Sequence, residues 1–223
     1  EYFTRCGRYA YCWGRDAAFI TEALDCAGMH DEVDKFYDWA VHVQDTDGFW
    51  YQRYNMDGNL APSWGIQIDE TGTLLWGMLN HYHYIRNTAF LNRMWESIAK
   101  AMAFISEFID KETNLPKPSF DLWEERNGEH TYSAAAVYGG IMAAAEIGGI
   151  LNKDEALIKD WHRLAGEIKK AILEKLWDED RGRFLRSIRT KLNAFGPEPS
   201  DNTVKITINK KGYARDVSAE DPA

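Results

Sequence analysis

Residues 132–151 read YSAAAVYGGIMAAAEIGGIL, and residues 153–177 read KDEALIKDWHRLAGEIKKAILEKLW. The first run is small and apolar on nearly every side, the mark of a helix buried on most faces. The second places Leu157, Trp161, Leu164, Ile168, Ile172 and Leu176 on one face and charges on the other. That spacing of three and four predicts an amphipathic helix. Only Leu151-Asn152-Lys153 joins the two runs. So short a connection turns the second helix back antiparallel on the first.

The same unit precedes it twice. Ala18, Phe19, Ala23, Leu24 and Ala27 predict a helix over about 15–29. Val33, Phe36, Tyr37, Ala40 and Val43 predict its partner over about 31–45. Leu74, Leu75, Met78 and Leu79 mark a third helix near 69–86, and Trp95, Ile98, Met102, Ile105 and Phe108 a fourth near 88–110. The connections are Met29-His30-Asp31 and Asn87-Thr88, with Asp31 and Thr88 as expected N-caps. Hairpins therefore recur at a period of roughly 60 residues, a repeat of architecture rather than of sequence. Between pairs lie long loops, 46–68 and 111–131. Long loops inside a compact domain usually carry function. Beyond residue 178, Arg183 to Ser187 reads as extended, and Asn202 to Asn209 alternates apolar and polar like a half-buried strand. No organised pattern is read past Tyr213.

In antiparallel hairpins the first helices all run parallel. The segment 1–14 and both long loops enter those helices at their N-termini, so all three should gather at one end. That end would collect Trp13, Arg15, Asp16, Trp64, Asp69, Glu70, Asp121, Trp123, Glu124, Glu125 and His130. An aromatic, polar rim over a helical assembly is a reasonable binding site.

The chain's 223 residues suffice for one core. Its net charge of −9 argues against a phosphate-backbone partner. No long uncharged apolar run is read as a membrane span. The first residues do not resemble a signal peptide. The compartment stays open between cytoplasm and exterior, depending on what precedes the chain in its parent. Cys6, Cys12 and Cys26 are odd in number and form no Cys-x-x-Cys, so neither a metal site nor a disulfide framework is expected. Cys26, inside a helical pattern, is expected in the core. No cofactor motif is read.

Nine tryptophans are the unusual feature. Trp13, Trp50, Tyr51, Tyr54, Trp64, Phe120 and Trp123 fall in segments rich in Gly, Pro, Asp and Asn. Aromatics there are read as flat faces for sugar rings rather than as core. The densest polar cluster is Lys117-Pro-Ser-Phe-Asp-Leu-Trp-Glu-Glu-Arg126. It is either a solvated acidic loop or a glycosidase acid, since crowded like charges and an apolar wall both favour a carboxyl that keeps its proton. Tyr11-Cys-Trp-Gly-Arg-Asp16 is either a cap with a salt bridge or a sugar clamp. As a clamp, Asp accepts hydroxyl hydrogens and Arg donates a planar fork. Asp69 and Glu70, after Ser63-Trp64-Gly65, suit a helix N-terminus electrostatically. His81 and His83 are two apart on a helix and do not share a face. Gly139-Gly140 and Gly148-Gly149 follow no strand and indicate no phosphate cradle.

Together these segments resemble glycoside hydrolase family 15, the glucoamylases and glucodextranases. The likeness covers most of residues 1–190. It rests on Tyr-Cys-Trp-Gly-Arg-Asp at 11–16, Gln-Arg-Tyr-Asn at 52–55 before Asp57-Gly58, and Ser-Trp-Gly at 63–65. Gln-Ile-Asp-Glu-Thr-Gly at 67–72, Pro-Ser-Phe-Asp-Leu-Trp-Glu-Glu-Arg at 118–126 and His-Thr-Tyr-Ser at 130–133 follow in the same order. The resemblance implies an all-α (α/α)6 barrel, of which residues 1–190 would form about half as three hairpins. Residues 191–223 would then be an extended or β-like segment. It also implies that Glu124 is the general acid, flanked by Glu125 and Asp121 and lined by Trp123. Arg15 and Asp16 would grip the terminal glucose, Trp64 would pack on the sugar and Tyr9 would help place the attacking water, with Trp13 a further candidate for binding substrate. Gly14 stands where bacterial relatives commonly have Pro, which leaves local stiffness open. The family's general base lies on a later segment, so the missing half of the barrel is expected from the rest of a parent chain. The implied activity is inverting, exo-acting release of glucose from an α-linked oligo- or polysaccharide. The alternatives are glucodextranase, trehalase or a non-catalytic carbohydrate-binding fragment.

Overall fold

The computed structural model describes residues 10–63, 65–191, 203–207 and 214–218. Among the described residues six helices appear in pairs: α1 (Gly14–Cys26) with α2 (His30–His42), α3 (Ile68–Ile85) with α4 (Thr88–Glu107), and α5 (Thr131–Ile150) with α6 (Glu155–Lys175). All six lie where the periodicity places them. The ends differ by up to three residues because periodicity does not see local hydrogen bonding. Thus α1 stops at Cys26, where the Gly28 and Met29 amides turn back to the Asp25 and Leu24 carbonyls at 2.9 Å each. Both expected caps are displaced. Met29 occupies the cap of α2 with Asp31 inside the first turn, and Asn87, not Thr88, caps α4 by accepting from the Ala89 amide at 2.9 Å. Asp154 caps α6 through the Ala156 and Leu157 amides.

Helices α1, α3 and α5 form an inner row in that order, and α2, α4 and α6 cover it from outside. The inner row is tight because of glycine. A Cβ on Gly72 of α3 would stand 2.5 Å from the Ala136 carbonyl oxygen, and one on Gly140 of α5 2.5 Å from the Gly72 oxygen. The two backbones touch there, which any side chain would prevent. Between the layers, Tyr37, Leu74, Leu75, Met78, Phe90, Leu91, Met94, Ile98, Val137, Ile141 and Ile168 make one continuous buried core. Truncating one of the larger members to Ala costs roughly 2–5 kcal/mol. Helix α5 is long and apolar enough to cross a membrane by length and composition alone, yet it sits in this bundle with over half of that window buried.

Two readings of side chains are corrected here. Trp50, Tyr54 and Phe120 are loop aromatics, yet they are core: Trp50 is 1 % exposed and donates its indole N–H to the Ala40 carbonyl at 2.7 Å. The loop folds back over the helices, so its aromatics fill space against them. Cys26 is exposed, its Sγ 3.0 Å from the Tyr84 hydroxyl, because it falls at the end of α1 beyond the covered face.

The loop 111–131 contains strands the helical reading did not separate. β1 (Ser119–Phe120) and β2 (Asn127–His130) form an antiparallel hairpin, and β5 (Ser187–Lys191) adds to the far side of β2. β3 (Trp177–Asp178) pairs with β4 (Arg183–Phe184) just before it. The alternating segment forms β6 (Thr203–Thr207), which pairs with β7 (Ala214–Ser218). β7 corrects the expectation of no pattern past Tyr213: its sequence does not alternate cleanly, and pairing to β6 supplies the order.

Candidate active site

The acidic segment is the tip of the β1–β2 hairpin. Phe120 pairs with Asn127, leaving residues 121–126 as the turn. Asp121 organises that turn. Its Oδ1 accepts the Glu125 amide at 2.9 Å and the Arg126 amide at 3.1 Å, and its carbonyl accepts the Glu124 amide at 2.9 Å. Glu124 itself has φ +59°, a left-handed conformation uncommon for a residue with a Cβ. Such a conformation persists only where the surroundings enforce it.

The Glu124 side chain lies between hairpins. The Trp13 indole N–H donates to its Oε1 at 3.3 Å, and Arg53 Nη1 lies 3.6 Å from its Oε2. Arg53 is held in turn: its Nε donates to the Pro62 carbonyl at 2.7 Å, and its guanidinium lies over the Tyr11 and Trp13 rings at 5.0 and 5.7 Å. The acidic neighbours in sequence are therefore not what surrounds Glu124 in space. Asp121 is buried in the turn and pairs with Arg186, Glu125 reaches the same Arg186 at 3.3 Å, and Trp123 is 68 % exposed.

Arg15 lies on the same end. Its Nη1 donates to Gln67 Oε1 at 3.1 Å and to Asp69 Oδ2 at 2.6 Å, and lies 3.0 Å from Glu70 Oε1. Its own amide donates to Glu70 Oε2 at 2.6 Å. Asp16, 3.5 Å from Nη2, faces outward. Gly14 permits this arrangement, since a Cβ there would meet Leu74 Cδ1 at 2.8 Å and Glu70 Oε2 at 3.1 Å. Burial raises the proton affinity of both Asp69 and Glu70, and Arg15 only partly offsets it. Burial works against the Arg15 charge, but Glu70 and Asp69 outweigh it and hold the guanidinium firmly protonated. Burial, with Glu70 and Asp16 nearby, pushes the Cys12 thiol up to about 12, so it is no nucleophile.

Gln67 joins the two parts. Its Oε1 accepts from Arg15, and its Nε2 donates to the Asp121 carbonyl at 2.8 Å. Next to the turn, a cavity of about 390 Å³ is lined by Asp121, Leu122, Trp123, His130, Thr131, Tyr132, Ser133 and Arg186. His130 donates from Nε2 to the Ser119 carbonyl at 2.9 Å, and burial lowers its pKa, leaving it neutral.

Trp13, Arg15, Asp16, Asp121, Trp123, Glu124 and Glu125 thus fall at one end of the helices, as the hairpin topology requires. Tyr9 and Trp64 lie outside the described residues. Four partners carried no site role in the sequence reading: Arg53, Gln67, the Asp69–Glu70 pair as the seat of Arg15, and Arg186. Arg53 and Gln67 stand inside the Gln-Arg-Tyr-Asn and Gln-Ile-Asp-Glu-Thr-Gly motifs, which is the signal that marks them. Arg186 had no local signal at all.

The comparisons with known proteins give the family and the fold. The family model for glycosyl hydrolases family 15 matches residues 41–204. An uncharacterized glycosyl hydrolase of Methanocaldococcus jannaschii is 33% identical over 92% of this chain and 31% of its own length. A trehalase of Thermoplasma volcanium is 26% identical over 82% of this chain and 32% of its own, and a glucoamylase of Clostridium sp. 28% over 74% and 22%. The chain therefore spans about a third or less of these relatives. A bacterial glucoamylase solved in complex with acarbose superimposes with a TM-score of 0.67, at 24% identity, over 92% of this chain and 28% of that one. With the family model matching most of the chain and three helical hairpins in the order of such a barrel, the chain belongs to glycosyl hydrolase family 15 and folds as part of an (α/α)6 barrel.

Proposed function

We propose that this chain carries the acid side of an inverting, exo-acting α-glucosidase site, releasing glucose from the non-reducing ends of α-glucans. The observation that carries the reading is the position of Glu124: a carboxyl at the tip of a braced turn, beside Trp13 and on the same end as Arg15 and Asp16. In this reading Glu124 donates its proton to the glycosidic oxygen as the bond to C1 breaks. Asp16, the outward member of the clamp, receives hydroxyls of the terminal glucose. Arg15, seated by Gln67, Asp69 and Glu70, orients Asp16 and adds a fixed positive charge. Trp13 and Trp123 offer apolar faces to the ring, with Trp64 and Tyr9 in the roles the family resemblance implies.

Inversion also needs a base to activate water on the opposite face of the sugar, with the two carboxyls about 6.5–9.5 Å apart. Asp121 and Glu125 share the acid's own turn and are both tied to Arg186. They are ill placed for that role, and the base is assigned to the part of the barrel outside these residues. The full-length protein should release β-glucose from maltose or a longer α-glucan, read by proton NMR of the first product. Release of α-glucose would overturn inversion. Glu124→Gln should cut turnover about 10²–10⁴-fold while sugar binding persists, and near-normal turnover would overturn the acid assignment. The trehalase relative favours a second reading, the α,α-1,1 bond of trehalose. Comparing kcat/KM on trehalose, maltose and isomaltose decides between them.

A further inference from the structure

Arg186 lies immediately before β5, sixty-two residues after Glu124 in sequence and against its turn in space. Its backbone is fixed: the Arg186 carbonyl accepts the Thr131 amide at 3.1 Å, at the start of α5, and Ser187 pairs with His130 across the β2–β5 ladder. Its side chain crosses to the turn, where Nη2 donates to Asp121 Oδ2 and to Glu125 Oε2 at 3.3 Å. Asp121 is 4 % exposed, and its other oxygen holds the Glu125 and Arg126 amides. Within this turn Glu124 keeps its left-handed backbone. A buried carboxylate stripped of its cation is strongly disfavoured. Without Arg186, Asp121 would turn toward solvent, releasing both amides and the constraint on Glu124.

We propose that Arg186 is the positioning residue for Glu124: by anchoring Asp121 and Glu125 from the entry to β5, it holds the acid turn in the one conformation that presents the Glu124 carboxyl to the scissile bond. This rests on the assignment of Glu124 as the general acid. Arg186 reaches Asp121 and Glu125 rather than the Glu124 carboxyl, so on this proposal its loss should appear only where proton donation matters. Maltose needs its leaving oxygen protonated, whereas α-glucosyl fluoride loses a good leaving group with little help from an acid.

The test compares both substrates in the full-length protein and its Arg186→Met variant. Turnover of maltose should fall about 100-fold, the size expected for a catalytic group displaced by about an ångström. Turnover of the fluoride should stay within about threefold, because the acid contributes little there. Arg186→Lys keeps the charge without the fork and should recover part of the maltose loss; if the Met variant does not fold, it decides in its place through a smaller but still selective loss. A parallel fall on both substrates, or no fall on maltose, would overturn the proposal. Amide hydrogen exchange gives a readout independent of activity. The Glu125 and Arg126 amides should lose protection in the variant while those of α3 and α5 keep theirs, and unchanged protection at the turn would equally overturn it. If the wild type hydrolysed neither substrate, the assigned reaction would fail while the exchange measurement still judged the brace.

Discussion

Glu124 occupies a backbone conformation that its own side chain disfavours, in a turn organised by Asp121 and tied to the entry to β5 by Arg186. Strain of this kind is held by neighbours, so substitutions around Glu124 act through geometry as well as charge. Asp16 stands apart, being exposed and free of that turn. A clamp acts on the ground state and the transition state alike. Asp16→Asn should therefore weaken sugar binding and lower kcat together, and a change in kcat alone at unchanged KM would remove Asp16 from the clamp. Glu70 makes a pH prediction. Burial first, with Asp69 adding to it, raises its folded pKa well above 4.5 despite Arg15. A group raised in the folded state binds its proton more tightly there than in the unfolded chain. Its contribution to stability is complete below 4.5 and is lost as pH rises through the folded value. Glu70→Gln removes that linkage. Urea midpoints should then show wild type losing ground to the variant as pH rises, and a pH-independent difference would refute the assignment.

At the scale of elements, the site is built where three helix N-termini meet one small sheet. The β1–β2 hairpin carries the acidic turn, Arg186 just before β5 pairs with it, and α1 and α3 carry the arginine seat. These elements keep their relations because the inner helices cannot slide: α3 and α5 are in backbone contact at Gly72 and Gly140. Gly72→Ala would gain about 1 kcal/mol of helix propensity. It would also place a methyl against a carbonyl that cannot rotate away, and overpacking typically costs about 1–3 kcal/mol. Net destabilisation is expected by urea unfolding, and a stabilised variant would mean that the helices are not in contact. At the other end of α1, Asp25 joins the hairpins by accepting from His81 at 2.8 Å and His30 at 2.7 Å. This gives His81 a structural partner, while His83 lies out on Glu146.

At the scale of the molecule, the inner row has one side covered by α2, α4 and α6 and another side open among the described residues. Phe19 and Ile20 of α1 are 54 % and 59 % exposed, and Tyr132 of α5 is exposed where it lines the cavity next to the β1–β2 turn. A closed (α/α)6 barrel brings further inner helices against such faces. Residues 1–223 produced alone should consequently bind a hydrophobic dye, self-associate on sedimentation and hydrolyse neither maltose nor trehalose. The full-length protein should do none of the first two and carry the activity. A monomeric, dye-free and active 223-residue chain would show that the described hairpins need no further cover and that the base lies among these residues.

The helices, their pairing and the end of the bundle that bears the site are legible in the sequence alone. Periodicity is a local property of each segment, and a two- or three-residue connection leaves only an antiparallel return. The motifs around Arg15 and Glu124 can be picked out as runs of adjacent residues, but the groups that surround either side chain come from other segments. Only the folded chain decides which loop aromatics are core, since Trp50 and Trp123 stand in similar contexts and differ only in what lies over them. It alone seats Arg15 on Asp69 and Glu70, bridges Arg15 to the acid turn through Gln67, and brings Arg186 to Asp121 from the entry to β5. Charge pairing depends on distance in space, and separations of more than fifty residues along the chain leave no trace in local pattern.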